Sequence, residues 1–161
     1  MEANSTKGEW KENFEKTTAR KTRDRIRQAI FQVQKEQEGV STSTLWRIMR
    51  QTKNFIGVIP QDYLENFNIF SFPISLIVNL DLSTQIGSHW IGIQIFDKTV
   101  EIYDSFGMSS RYWTVKPVIL LSFLKRLSIT KRVIVTPVLQ HPLSHYCGFY
   151  CLYFLLYRNF I

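Results

Sequence analysis

Two cysteines are all that the 161 residues carry, and they stand four apart, at Cys147 and Cys151. That spacing is one helical turn, a poor geometry for a mutual disulfide, so both are expected as thiols in a reducing compartment. Residues 1–11 are polar and mixed in charge, without the apolar core of a secretion signal or a membrane span. An intracellular protein without a membrane anchor is the expectation. Carboxylates are missing altogether from residues 105–161, which hold seven Lys/Arg, while residues 1–54 hold twelve Lys/Arg against seven Asp/Glu. The net charge of +7 is therefore uneven. Such a surface suits an anionic partner, nucleic acid first, or serves solubility alone, and no interleaving of aromatic and basic residues marks a nucleic-acid motif. Internal repeats and low-complexity tracts are also absent.

What is present is apolar content of 45%, enough for one hydrophobic core. The reading is a basic, helical N-terminal extension over residues 1–40 and a single catalytic domain over 41–161. In the extension, residues 10–38 suit a polar helix with Ile26, Ile30 and Val33 at helical spacing and Gly39 as its stop. A second helix should begin at Ser41 or Ser43 and run to about Thr52, with Leu45, Ile48 and Met49 on one face. Residues 55–60 then break the helical pattern, with Gly57 and Pro60 marking a turn. Residues 74–80 read as a buried strand. Residues 89–96 and 100–103 form a hairpin across Asp97-Lys98. Residues 115–127 look helical, with Pro117 tolerated in a first turn, and residues 132–139 are β-branched enough for a strand. Residues 147–158 are apolar on every face, as in a helix buried mid-domain. The order gives an α+β fold: a mostly antiparallel central sheet, a buried helix with Cys147 at its N-terminus, and flanking helices.

Cys147 precedes Gly148 at the start of that helix, where the positive helix end and unpaired amides favour a thiolate. Gly148 leaves room for a substrate backbone. Most free cysteines, however, are buried and structural. His89, after Gly87-Ser88 at a strand start, supplies the base that a thiolate nucleophile needs. Trp90 points to the other strand face and either walls a cleft or fills core. Asp104 follows the partner strand of the hairpin, close enough to orient His89, although Asp is also common in turns. Gln140 stands seven residues before Cys147, and its amide can complete an oxyanion hole with the Cys147 backbone N–H. His141 and His145 are rival bases on the nucleophile's own short loop, where reach is poor.

The runs Gly87-Ser88-His89-Trp90-Ile91-Gly92, Tyr103-Asp104-Ser105-Phe106-Gly107 and Gln140 through Cys151 resemble the three catalytic blocks of adenain, the adenovirus maturation protease, and of ubiquitin-like-protein proteases. Phe55-Ile56-Gly57 and Ile77-Val78-Asn79 resemble adenain as well, so the likeness covers roughly residues 41–158. It implies a Cys-His-Asp triad of Cys147, His89 and Asp104 with Gln140 in the oxyanion hole, and substrate contacts at Gly87, Ser88, Trp90 and Gly148. It further implies a viral or virus-like-element endopeptidase that processes capsid or core precursors, near small residues such as Gly. Removal of ubiquitin or a ubiquitin-like modifier, and a non-catalytic nucleic-acid-binding role, are the alternatives. No metal or cofactor is implied for the chemistry. DNA or a viral peptide is the activator in that family; a disulfide-tethered peptide is not expected with Cys147 and Cys151 as the only cysteines. Residues 1–40 have no recognised counterpart in adenain, which itself continues further past the buried helix that carries the cysteine. A monomer acting in the nucleus or virion is the corresponding expectation.

Overall fold

The computed structural model describes residues 39–114 and 117–160, together with 19–21, 23–25, 27, 28 and 31. The described residues before Gly39 are helical. Among them, the Arg25 guanidinium donates to the Ile48 carbonyl (3.1 Å) and the Thr52 hydroxyl (3.2 Å). The rest of the helix expected over 10–38, with Ile26, Ile30 and Val33, lies outside the described residues.

Helix α1 is Thr42–Met49. Ser41 caps it, its hydroxyl accepting from the Thr44 amide at 3.2 Å, and Leu45 and Met49 are fully buried. The chain then turns through Asn54, at positive φ, into β1, Phe55–Pro60. The turn expected at these residues is a strand instead. Gly57 lies where the register slips rather than where the strand stops, and Pro60 is its last residue, on an edge strand where a missing N–H is tolerated. A short 3₁₀ turn, Gln61–Leu64, leads on towards β2 (Ile74–Asn79), β3 (Trp90–Ile95) and β4 (Thr99–Tyr103). Helices α2 (Arg111–Thr114) and α3 (Val118–Ser128) follow, then β5 (Arg132–Val135) and α4 (Cys147–Phe160). The helix expected over 115–127 is α3, with Pro117 as the residue that caps it rather than a member of its first turn. The strand expected to reach Leu139 stops at Val135, two residues before Pro137, which cannot donate to a ladder.

The five strands lie in sequence order. Strand β3 is antiparallel to both β2 and β4, while β1 is parallel to β2 and β5 is parallel to β4. The fold is therefore α+β as expected, but the sheet is mixed rather than mostly antiparallel. Parallel neighbours need a crossover that returns the chain to the same end, and residues 61–73 and 104–131 provide the two.

Alternation along the central strands sends their side chains into two separate cores. Leu76, Val78, Ile91, Ile93, Val100 and Ile102 pack with Leu120, Phe123 and Leu124 of α3. Ile77 and Tyr103 pack on the other face with Leu152, Leu155 and Leu156 of α4 and with Leu45 and Met49 of α1. The sheet is thus covered on both sides. Helix α4 is not buried all round, contrary to the reading of its apolar sequence. Gly148, Cys151, Leu152, Leu155 and Leu156 face inward, whereas Tyr153 and Tyr157 are exposed. Tyrosine tolerates that place because its ring can pack while its hydroxyl stays wet. Among the described residues no helix is long and apolar enough to cross a membrane.

Because Leu155 is fully buried where α4 meets the sheet, Leu155→Ala should destabilise the fold by roughly 2–5 kcal/mol, read as a lower urea midpoint with an unchanged slope.

Candidate active site

The residues just before β3 are held in place by Asn79, at the end of β2. Its side-chain oxygen accepts from the Asp81 amide (2.9 Å) and from the Ser88 amide (3.3 Å). Gly87 sits between them at φ +99°, where a Cβ would come within 2.9 Å of the Asn79 amide nitrogen. A glycine is required there on both counts. The Leu80 amide then bonds the His89 carbonyl (3.0 Å), which extends the β2–β3 pairing to His89 itself.

Pairing of β3 with β4 places Gly92 opposite Tyr103. Followed outward, the register sets Ile91 beside Asp104, and period-two alternation puts His89, Ile91 and Asp104 on one face of the hairpin. His89 Nε2 and Asp104 Oδ1 meet there at 2.7 Å, both side chains fully buried. Asp104 is gripped further. Its Oδ1 accepts from the Phe106 amide (3.0 Å), its Oδ2 from the indole N–H of Trp113 (2.5 Å), and its own amide donates to the Thr136 hydroxyl (3.1 Å). One side chain therefore both holds a turn, through the Phe106 amide, and bonds the His89 ring. Tyr112 stacks on the imidazole at 4.6 Å between ring centres, and Phe106 lies 5.0 Å away.

Burial works against charging His89, but the Asp104 carboxylate bonded to its ring, with the Cys147 sulfur nearby, outweighs it and pushes the ring up to about 9. Burial likewise opposes ionisation of Asp104, yet His89, the Trp113 indole and the Phe106 amide hold its carboxyl below the usual range. Nε2 is taken by Asp104, and Nδ1 is buried without a hydrogen-bond partner among the described residues. Nδ1 is thus the atom left to face Cys147.

Cys147 is half-buried and is the first residue of α4. The backbone bonding of that helix begins with the Tyr150 amide on the Tyr146 carbonyl (3.0 Å), so the amides of residues 147–149 belong to the turn that a helix leaves without internal partners. Four residues on, Cys151 is 1% exposed within the α4 core, and burial, aided by the charges of Cys147 and Asp104, pushes its thiol well up. The two thiols have opposite environments. Gly148 is also placed differently from the sequence reading. A Cβ there would meet the Val40 side chain at 3.0 Å and Trp90 at 3.4 Å, so the missing side chain lets α4 pack against them rather than opening room for a substrate.

Gln140 is buried beside the same constellation. Its Oε1 accepts from the Ser105 hydroxyl (2.5 Å), its Nε2 donates to the Ser144 carbonyl (3.0 Å), and its amide donates to the Ser105 carbonyl (2.9 Å). An amide nitrogen carries two hydrogens, and Ser144 uses one. His141 is exposed, its Nδ1 accepting from the Leu143 amide (3.3 Å). His145 is exposed too and lies on the wall of the cleft that holds Cys147. That cleft, of about 380 Å³, is lined among others by Val40, Gly87, Ser88, Trp90 and Tyr112. Trp90 serves as both wall and core, its indole donating to the Val40 carbonyl (3.0 Å) while its ring packs against the α4 side.

His89, Asp104 and Cys147 are brought together, with Gln140 joined to them through Ser105. Four supporting residues were not singled out from the sequence: Ser105, Tyr112, Trp113 and Thr136. Only Ser105, next to Asp104, carried a local signal. Among the described residues no cluster of His, Cys, Asp and Glu could hold a metal ion. The basic surface is partly occupied by the chain itself. Arg126 donates to the Leu64 and Glu65 carbonyls, Lys131 to those of Phe96 and Asp97, and Arg158 pairs with Glu101.

No protein-family model and no curated protein matches this chain. Its structure is similar to the solved SUMO protease Ulp1 with its catalytic cysteine oxidised to a sulfinic acid, at 20% identity and a TM-score of 0.37, over 81% of this chain and 54% of that one. It is likewise similar to Ulp1 with that cysteine as a sulfenic acid, at 19% identity and a TM-score of 0.34 over the same shares. The chain spans about half the length of these relatives, 54%. The reading of the site therefore rests on the geometry above.

The raised pKa of His89 has a sign that can be measured. The imidazolium's contribution to folding is fully present below the unfolded value of 6.5 and is lost as pH rises through about 9. Thermal unfolding between pH 6 and 10 should show this loss, and His89→Gln should flatten it.

Proposed function

We propose that the chain is a cysteine peptidase, a thiol hydrolase in which Cys147 is the nucleophile, His89 the base and acid, and Asp104 the group that orients His89. One observation carries the reading: a buried imidazole is tied through Nε2 to a carboxylate, and its other nitrogen is left for a thiol at a helix N-terminus in an open cleft. That geometry suits nucleophilic catalysis. Nδ1 takes the Cys147 proton, and the thiolate attacks the scissile carbonyl carbon. The oxygen that turns negative is held by the Cys147 backbone N–H and by the second N–H of Gln140. As the intermediate collapses, His89 gives its proton to the leaving amine. Water, deprotonated by the same imidazole, then hydrolyses the thioester. Asp104 accepts from Nε2–H throughout and favours the imidazolium.

For the substrate, we infer a viral or virus-like-element endopeptidase acting on virion precursor proteins in the nucleus or virion. The adenain-like blocks around His89, Asp104 and Cys147, together with Phe55-Ile56-Gly57 and Ile77-Val78-Asn79, support it. A cleft walled by Trp90, Phe106 and Tyr112 suits small residues at the cut, and for the same reason it suits the Gly-Gly tail of a ubiquitin-like modifier, the second reading. Gly87, Ser88 and Trp90 are the proposed substrate contacts. DNA remains the proposed activator, through residues 1–40 and the cations not held by the chain, and the chemistry needs no cofactor.

Initial rates on a panel of precursor peptides and on a modifier–fluorophore conjugate separate the two substrate readings. Cys147→Ala should abolish cleavage, His89→Ala should nearly do so, and Asp104→Ala should be milder. Gln140→Ala should lower kcat by roughly 10²-fold. Full peptidase activity in a folded Cys147→Ala chain would falsify the mechanism. Strong salt-dependent DNA binding with Cys147 inert to an electrophilic peptide probe at neutral pH would favour a non-catalytic binding role.

A further inference from the structure

Beyond Tyr112 lies a second and larger hollow, of about 570 Å³, between the loop that follows β2 and the first turn of α3. Leu80, Leu82, Tyr112, Pro117, Val118 and Ile119 give it apolar walls. Val118 and Leu82 stay 64% and 38% exposed at its rim. Ser88 and Tyr112 line this hollow and the cleft of Cys147 alike, so the two adjoin across those residues, and a peptide that extends past them from the cleft meets the hollow next. Among the described residues a single charged side chain lines it, Asp81. One oxygen of that carboxylate accepts from the Ser88 hydroxyl at 2.9 Å, and none of the ion pairs among the described residues involves Asp81.

We propose that this hollow is a specificity subsite that takes a lysine or arginine side chain of the peptide substrate, its stem lying along Leu82, Tyr112 and Val118 and its cationic tip against Asp81. The inference rests on the peptidase reading of Cys147 and His89. The combination of walls and charge selects the occupant. An aliphatic stem covers the exposed apolar rim, which is favourable at about 25 cal/mol per Å² buried. A wholly apolar side chain would strip water from the Asp81 carboxylate and return nothing to it, whereas an ammonium or guanidinium replaces that water with an ion pair. An acidic side chain would meet repulsion from the same carboxylate.

The test uses the full chain and a randomised peptide library, with the cut products sequenced. Matched peptides then carry lysine, norleucine, glycine or glutamate at the position the library selects. Lysine should exceed norleucine in kcat/KM by about threefold, as expected of a partly exposed ion pair. Norleucine should exceed glycine by about tenfold. Glutamate should be the poorest of the four. Asp81→Asn, which keeps an acceptor for the Ser88 hydroxyl, should bring the lysine-to-norleucine ratio to about one. Should that variant not fold, the glutamate and lysine peptides compare the two charges on the unaltered chain. Alkylation of Cys147 by iodoacetamide, compared with the His89→Ala chain, reports on the site separately. A Cys147 that reacts in a His89-dependent way, in a chain that cuts no library peptide or cuts without favouring lysine or arginine at any position, overturns the subsite and leaves the site standing. A Cys147 indifferent to His89 overturns both.

Discussion

The structure turns on a titratable ring being buried completely. An imidazole inside a protein is costly to charge, and His89 is charged readily because Asp104 lies 2.7 Å from it in the same water-free space. Everything near the pair is arranged to keep the carboxylate ionised and still. The Phe106 amide and the Trp113 indole satisfy the acceptor sites that the histidine does not use, and Thr136 fixes the backbone below them. Without those donors the buried aspartate would be protonated more easily than an exposed one, and the histidine would revert to its neutral form. Tyr112 and Phe106 close the space with aromatic faces, which exclude water without competing for hydrogen bonds.

The mixed sheet is what allows this pair to meet a thiol. Its central hairpin presents His89 and Asp104 at one end, and α4, packed across the α1 side of the sheet, begins at that same end with Cys147. A helix start contributes unpaired amides as well as a side chain, so the Cys147 thiol and a set of free N–H groups come from a single local feature. The hydrophobic grip of Leu152, Leu155 and Leu156 is far from the chemistry in sequence terms but fixes where that helix begins. Gly148 belongs to the same account: it lets the first turn seat against Val40 and Trp90, which ties the mouth of the cleft to the α1 segment.

Ser105 links the two halves of the site. Its carbonyl accepts from the amides of Leu139 and Gln140, and its hydroxyl donates to the Gln140 side chain, so the turn after Asp104 also positions the loop that leads to Cys147. A displacement of either loop is therefore felt by the other. On the opposite flank, Asn79 and Gly87 hold the loop before His89, and Ser88 of that loop lines both the cleft of Cys147 and the larger hollow beside α3.

Much was legible from local pattern. The Asp97-Lys98 turn between two apolar runs determined the hairpin, and hairpin register brought His89 to Asp104 because antiparallel pairing is set by the turn. Ser41 marked the start of α1, and the apolar run after Cys147 marked α4, since capping chemistry and helical length are properties of adjacent residues. What adjacent residues do not carry was decided by the tertiary structure. Residues 55–60 became a strand because β2 offered a parallel edge, a pairing across a crossover that no short-range signal encodes. The all-apolar look of α4 hid an exposed tyrosine face, since only a sheet on one side defines which face is inside. Trp113 reached Asp104 because the chain folds back through α2, and Cys147 was separated from Cys151 in exposure by which side of one helix turn meets the core.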